Sequence, residues 1–205
     1  MKGMSNLVLL VPGIFDLGYS MKRMKASLDA AGFSAHYIHL EYNSGWYGME
    51  FLSHQLKSQA EALVEPEQSF ALVGFSMGGI VARHYLQHLG GLEHVHKFIS
   101  MASPHFGSLW ANCLPYRGGR QLGVGSSFLA RMNEDVHSLA AVEPVSIWTR
   151  YDITIVPHSS ALLPLGTSYE VPVALHRWVP LDRRVISIVT EELSPFRQRE
   201  ISSSQ

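Results

Sequence analysis

Ala71-Leu-Val-Gly-Phe-Ser-Met-Gly-Gly-Ile-Val-Ala82 is the stretch whose reading decides the fold. Residues 70–73 are an apolar run short enough for one buried strand. The chain then turns through Gly74-Phe-Ser-Met-Gly78, and residues 80–86 read as a helix. Strand, tight turn and helix are the context that a G-x-S-x-G nucleophile elbow requires. Its central Ser76 must sit on a sharp corner with its hydroxyl clear of the backbone, and side chains at positions 74 and 78 would collide across so tight a turn. The helix that follows aims its N-terminal N–H groups at the point where an oxyanion would form. Five residues alone are also compatible with a glycine-rich turn and a capping serine. A dinucleotide fingerprint fits worse, because it needs glycine where Ser76 stands.

Outward from this stretch, apolar strand runs alternate with helical stripes. Residues 7–11 (Leu-Val-Leu-Leu-Val) end at Pro12-Gly13 and read as a strand buried on both faces. Leu17, Met21, Met24, Leu28 and Ala31 form a helical stripe that Gly32 ends. Residues 34–40 form a second strand. Met49, Leu52, Leu56 and Leu63 mark a second helix, closed by Pro66. Gly90-Gly91 end the helix after Ser76, and strands are expected at 97–101, 145–149 and 169–175. A last helix over about 182–193 should stop before Pro195, with a frayed tail at 201–205. This alternation implies an α/β fold, a mostly parallel sheet of six strands with helices on both faces. Residues 108–143 break the pattern. They carry glycines and scattered large apolar side chains but no strand, and read as an insertion.

The 205 residues are expected to form one domain, 1–205. A net charge of −1 argues against a nucleic-acid partner held by bulk electrostatics. Cys113, the one cysteine, excludes an internal disulfide framework. No apolar run reaches a membrane-spanning length, so no stable membrane insertion is expected. The residues before the first apolar run are too few for a secretory signal, which makes a cytoplasmic protein the default, a removed leader being the alternative. Oligomeric state is not legible.

Several motifs in order, Val11-Pro-Gly-Ile-Phe15, Gly74-Phe-Ser-Met-Gly78, Ser103-Pro-His-Phe-Gly-Ser108, Tyr151-Asp152 with Val156-Pro157, and His176, resemble the α/β-hydrolase superfamily, in particular its small bacterial lipases and esterases. Residues 127–133 are similar to a lid-region helix of that group. The resemblance implies a three-layer sandwich with the strands in the spatial order 2-1-3-4-5-6 and a short lid at about 108–143. It implies a carboxylic ester hydrolase with Ser76 as nucleophile, Asp152 as acid and His176 as base, in the family's chain order. An acyltransferase or thioesterase with the same three residues is the alternative, and a non-catalytic binding module is a third. The substrate would be a small-molecule or lipid ester, with no cofactor and no metal.

Among other residues, Asp135 falls in the insertion and Asp182 is placed to cap the last helix. His158 follows Asp152 by only six positions and reads as a surface or pocket residue. The oxyanion hole should use the backbone N–H groups of Met77 and Ile14, with Phe15 the alternative to Ile14. Here Pro12-Gly13 stands where many lipases have His-Gly, so a side chain that often braces this loop is missing. His84 and His88 are one helical turn apart, but Tyr85 occupies the place where the metal motif H-E-x-x-H has glutamate. His105 reads as a structural brace and Cys113 as inert.

Overall fold

The structure, a computed structural model, describes residues 3–17, 19–65 and 67–203. Pro66 and the last two residues of the tail, on which expectations fell, lie outside them. Among the described residues six strands form one sheet in the order β2-β1-β3-β4-β5-β6, and every pairing is parallel. The strands are β1 (Gly3–Val11), β2 (Ser34–Tyr37), β3 (Gln68–Phe75), β4 (Val95–Met101), β5 (Val145–Trp148) and β6 (Thr167–Glu170). The helices are α1 (Lys22–Ala30), α2 (Met49–Leu63), α3 (Met77–His88), α4 (Arg117–Leu122), α5 (Ser127–Glu134) and α6 (Arg183–Ser203).

Both faces of the sheet are covered, and the alternation within single strands shows why. Leu7, Leu9 and Val11 of β1 pack with Leu52 and Leu56 of α2 and Ile80 and Val81 of α3. Val8 and Leu10 point the other way, among Met24 and Leu28 of α1 and Val185 and Val189 of α6. The unbroken apolar run at residues 7–11 of β1 is the consequence of burial on two sides.

Several boundaries differ from the sequence reading. β6 lies at 167–170 rather than 169–175, because it is a largely exposed edge strand. The apolar Val171 and Val173 that drew attention are buried just beyond it, in coil. Leu17 and Leu63 are exposed and do not belong to their helical stripes, and in α2 Ala60 takes the buried position instead. The last helix does not stop at Pro195 but runs to Ser203, so residues 201–203 are helical. A proline there cannot donate to the carbonyl of Glu191. Ser194 Oγ donates to that carbonyl instead, at 2.8 Å, and Phe196 anchors the continuation by packing its buried ring on His96.

Residues 108–143 have two parts. Phe128, Leu129 and Met132 of α5, then Val136, Leu139 and Val142 of a 3-10 segment, are buried in the same core as α2 and α3. Upstream of them, Leu109 and Trp110 lie exposed on the 3-10 turn Leu109–Cys113.

Candidate active site

Ser76 is the N-cap of α3 and follows the last residue of β3, at the carboxyl edge of the sheet. Its backbone has φ 53° and ψ −122°, a positive φ that a non-glycine residue adopts only when its surroundings impose it. The surroundings do so. Ser76 N–H donates to Met101 O at 2.8 Å, fixing the corner to β4. A Cβ on Gly74 would lie 2.6 Å from Gly79 Cα, so the turn closes on itself. Gly78 is constrained differently from the sequence expectation. A Cβ there would meet the carbonyls of Val11 and Pro12, at 2.3 and 2.5 Å, so it is the end of β1 and not the turn itself that excludes a side chain. A third glycine, Gly79, was not singled out from the sequence, and it packs against Ser103.

His176 begins the 3-10 turn His176–Leu181, past β6. Its Nε2 lies 2.9 Å from Ser76 Oγ and its Nδ1 2.7 Å from Asp152 Oδ2. The ring also packs on Phe75, with centroids 5.0 Å apart, a contact the sequence did not suggest. Asp152 leaves the end of β5 and is buried. Its other oxygen, Oδ1, accepts from the backbone N–H groups of Thr154 and Ile155 at 2.8 and 2.9 Å. Ser76, His176 and Asp152 thus stand in one line of hydrogen bonds, and each end of the imidazole has a partner.

The loop after β1 comes directly against the serine, since a Cβ on Gly13 would be 3.3 Å from Ser76 Cβ. In that loop Phe15 N–H donates to Asn43 O at 3.4 Å, whereas among the described residues the Ile14 N–H has no hydrogen-bond acceptor. Met77 is the first residue of α3, and the first N–H groups of a helix have no partner inside it.

The remaining histidines have other surroundings. His158 is exposed and stacks on Trp148 at 5.6 Å; it is His176 that bonds both Asp152 and Ser76. His105 is fully buried, shares a hydrogen bond with Ser100 Oγ at 2.9 Å, and has a pKa held well below the usual imidazole value by burial and by the Arg83 guanidinium. His84 packs on Phe128 and His88. Among the described residues no group of three or more His, Cys, Asp or Glu side chains could hold a metal ion. None of the helices described is long and apolar enough to cross a membrane.

Large apolar side chains crowd the carboxyl edge of the sheet. Phe15, Leu17, Tyr42, Trp46, Trp110 and Ile153 all lie exposed on the loops that leave β1, β2, β4 and β5.

A parallel sheet in this strand order, with a strained serine at the end of its third strand, defines an α/β-hydrolase. Solved structures agree on the fold. A lipase B of Aspergillus fumigatus superposes with a TM-score of 0.79 at 16% identity, over 93% of this chain and 52% of that one. The chain therefore spans about half the length of that lipase. The mature form of a Bacillus licheniformis lipase gives 0.71 at 15% identity over 91% of both chains. A metagenomic carboxyl esterase gives 0.71 at 14% identity, over 100% of this chain and 77% of its own. No curated protein matches in sequence. The model of one family, palmitoyl protein thioesterase, matches residues 7–151, and the chain belongs to that family. The matched span includes the elbow and the Gly13 loop but ends at residue 151, so Asp152 and His176 lie outside it.

Proposed function

We propose that the chain is a serine hydrolase that cleaves carboxylic esters of apolar acyl groups through an acyl-enzyme on Ser76. One observation carries this reading: a single imidazole, that of His176, bridges Ser76 Oγ at 2.9 Å and Asp152 Oδ2 at 2.7 Å. A serine hydroxyl is a weak nucleophile and needs a base within hydrogen-bond reach. His176 Nε2 takes the proton as Oγ attacks the acyl carbon. Asp152 holds Nδ1 protonated and stabilises the imidazolium. The oxyanion is received by the N–H groups of Met77 and Ile14. The C–O bond to the alcohol then breaks as His176 returns the proton to it. Water, deprotonated by the same imidazole, releases the acid and frees Ser76.

The exposed apolar rim supports an apolar acyl group. A covering role for the first part of segment 108–143 is supported by its attachment to the loop that carries Asp152. Leu109 N–H donates to Val156 O at 2.8 Å and Trp110 Nε1 to Ile153 O at 2.7 Å. A second reading, cleavage of a thioester by the same residues, is favoured by the family to which the chain belongs.

Chromogenic esters and acyl thioesters of graded chain length, with covalent trapping by a fluorophosphonate, test the proposal. Turnover lost in folded Ser76→Ala and in His176→Ala, with labelling confined to Ser76, is the result expected. Undiminished turnover in Ser76→Ala rejects it. Acyl transfer to an added alcohol in preference to water would indicate an acyltransferase.

A further inference from the structure

The loop that faces Ser76 has no polar side chain at the position next to Gly13 to brace it. Pro12 offers no polar side chain, and Phe15 stands at φ 56°, a positive value that costs a non-glycine residue energy. A contact from outside the loop helps to hold it. Asn43, buried in the β2–α2 connection, contacts it twice. Its Nδ2 donates to Asp16 O at 2.7 Å, and its backbone O accepts from Phe15 N–H at 3.4 Å. The Asp16 carboxylate is itself fixed by Ser20 N–H and Ser20 Oγ, and Asp16 N–H closes the turn on Gly13 O at 3.3 Å.

We propose that Asn43 is the positioning residue of the oxyanion hole: its side chain, by anchoring Asp16 O, seats the loop so that the Asn43 backbone carbonyl takes up the Phe15 N–H and the Ile14 N–H is left as the donor of this loop. The inference rests on the hydrolase reading and goes beyond it by choosing between two adjacent donors and naming what makes the choice. The Phe15 N–H is committed to the Asn43 carbonyl, whereas among the described residues the Ile14 N–H has no acceptor, and that difference decides which of the two serves. Asn43 in turn belongs to a loop anchored outside the site. Gly118 N–H of α4 donates to Gly45 O at 2.9 Å, and Trp46 stacks on Tyr116.

A positioning role of this kind acts on the transition state and not on substrate binding. In Asn43→Ala and in the near-isosteric Asn43→Asp, which cannot donate to Asp16 O, kcat should fall about 10- to 100-fold, as a displaced oxyanion donor does. KM and the pH profile of kcat should stay as in the wild type. Affinity for an acyl trifluoromethyl ketone, whose adduct places an oxyanion in the hole, should fall by the same factor. Affinity for the corresponding unreactive alcohol should not. The wild-type protein supplies a measurement that needs no variant: on adding the ketone, the Ile14 amide resonance should shift downfield and the Phe15 amide should not. A Phe15 shift without an Ile14 shift overturns the proposal, as does unchanged kcat and ketone affinity in either folded variant. Wild-type protein that turns over no ester or thioester and binds no ketone overturns the hydrolase reading and this assignment with it. Ester turnover lost in Ser76→Ala but unaffected in the Asn43 variants overturns this assignment alone.

Discussion

Asp152 divides its carboxylate between His176 and the backbone: Oδ2 meets Nδ1 of the imidazole at 2.7 Å, and Oδ1 is held by two N–H groups, those of Thr154 and Ile155. The division decides what an amide would do in its place. In Asp152→Asn the side-chain oxygen must stay on the backbone donors, so the NH2 group faces His176. Nδ1 must then accept, which leaves Nε2 carrying a proton and unable to take one from Ser76. Asp152→Asn should keep its melting temperature while ester turnover falls about a thousand- to ten-thousandfold. Turnover within about tenfold of wild type, a loss too small to need a wrong tautomer, would show that Asp152 does not set the state of His176.

Arg83 should be the most costly polar truncation in the molecule. Its guanidinium is fully buried on α3 and among the described residues has no carboxylate partner. It is satisfied by Gln87 Oε1, Met132 O, Asn133 Oδ1 and His105 Nδ1, and burial lowers its pKa to about 10. Arg83→Ala takes a donor from Gln87 Oε1, Asn133 Oδ1 and His105 Nδ1, leaves Met132 O with Gln87 Nε2 alone, and opens a cavity, a loss of about 3–5 kcal/mol. Arg83→Lys should not restore stability, because one ammonium cannot reach all four acceptors. Urea unfolding measures both, and a loss below about 1 kcal/mol for alanine would disprove the account.

Gly78→Ala should fail for a steric reason. Its Cβ would stand 2.3 Å from Val11 O and 2.5 Å from Pro12 O, and both are backbone atoms that no rotamer change can move. The strain should cost about 3 kcal/mol and displace the Gly13 loop from Ser76. Denaturant unfolding and ester turnover should both fall; wild-type values for both would disprove the close approach.

His84 should make the fold sensitive to acid. Burial, and after it the neighbouring His88, lowers its pKa from 6.5 to about 4, and among the described residues its buried Nδ1 has no hydrogen-bond partner. The unfolded chain therefore binds more protons between those values. Stability from this group is complete above about pH 6.5 and is lost as the pH falls towards 4. His84→Phe removes the titration and keeps a ring against Phe128. Its advantage in melting temperature over the wild type should be larger at pH 5 than near pH 8 by about 2 °C or more. An equal difference at both pH values would disprove the linkage.

The central strands were legible in the sequence because burial on both faces leaves them continuously apolar, as in residues 7–11 and 70–73. The edge strand β6 was not, since solvent on its outer side removes that signal, and the valines beside it misdirect the reading. Pro195 is a helix breaker by local rules, and only the Ser194 hydroxyl on the Glu191 carbonyl shows why the helix continues. Ser76, Asp152 and His176 could be named because their order along the chain is itself a pattern, and these three stand together in the structure. Asn43 could not, because its bond to Asp16 crosses 27 positions and an asparagine in a loop has no distinctive spacing. Phe128 to Val142 read as part of an insertion, yet they are core, a distinction that depends on what they pack against.

Ser76 and His176 are separated by 100 positions, and the hydrogen bond between them spans the sheet from its third strand to beyond its outermost one. The serine corner is built on the central strands, from β3 and α3 with the ends of β1 and β4. Its partner arrives only when β5 and the exposed edge strand β6 have taken their places. On the function proposed above, a chain in which that edge has not formed carries Ser76 without His176 and should turn over no ester. The recovery of ester turnover during refolding should therefore time the completion of the sheet edge and not the collapse of the core.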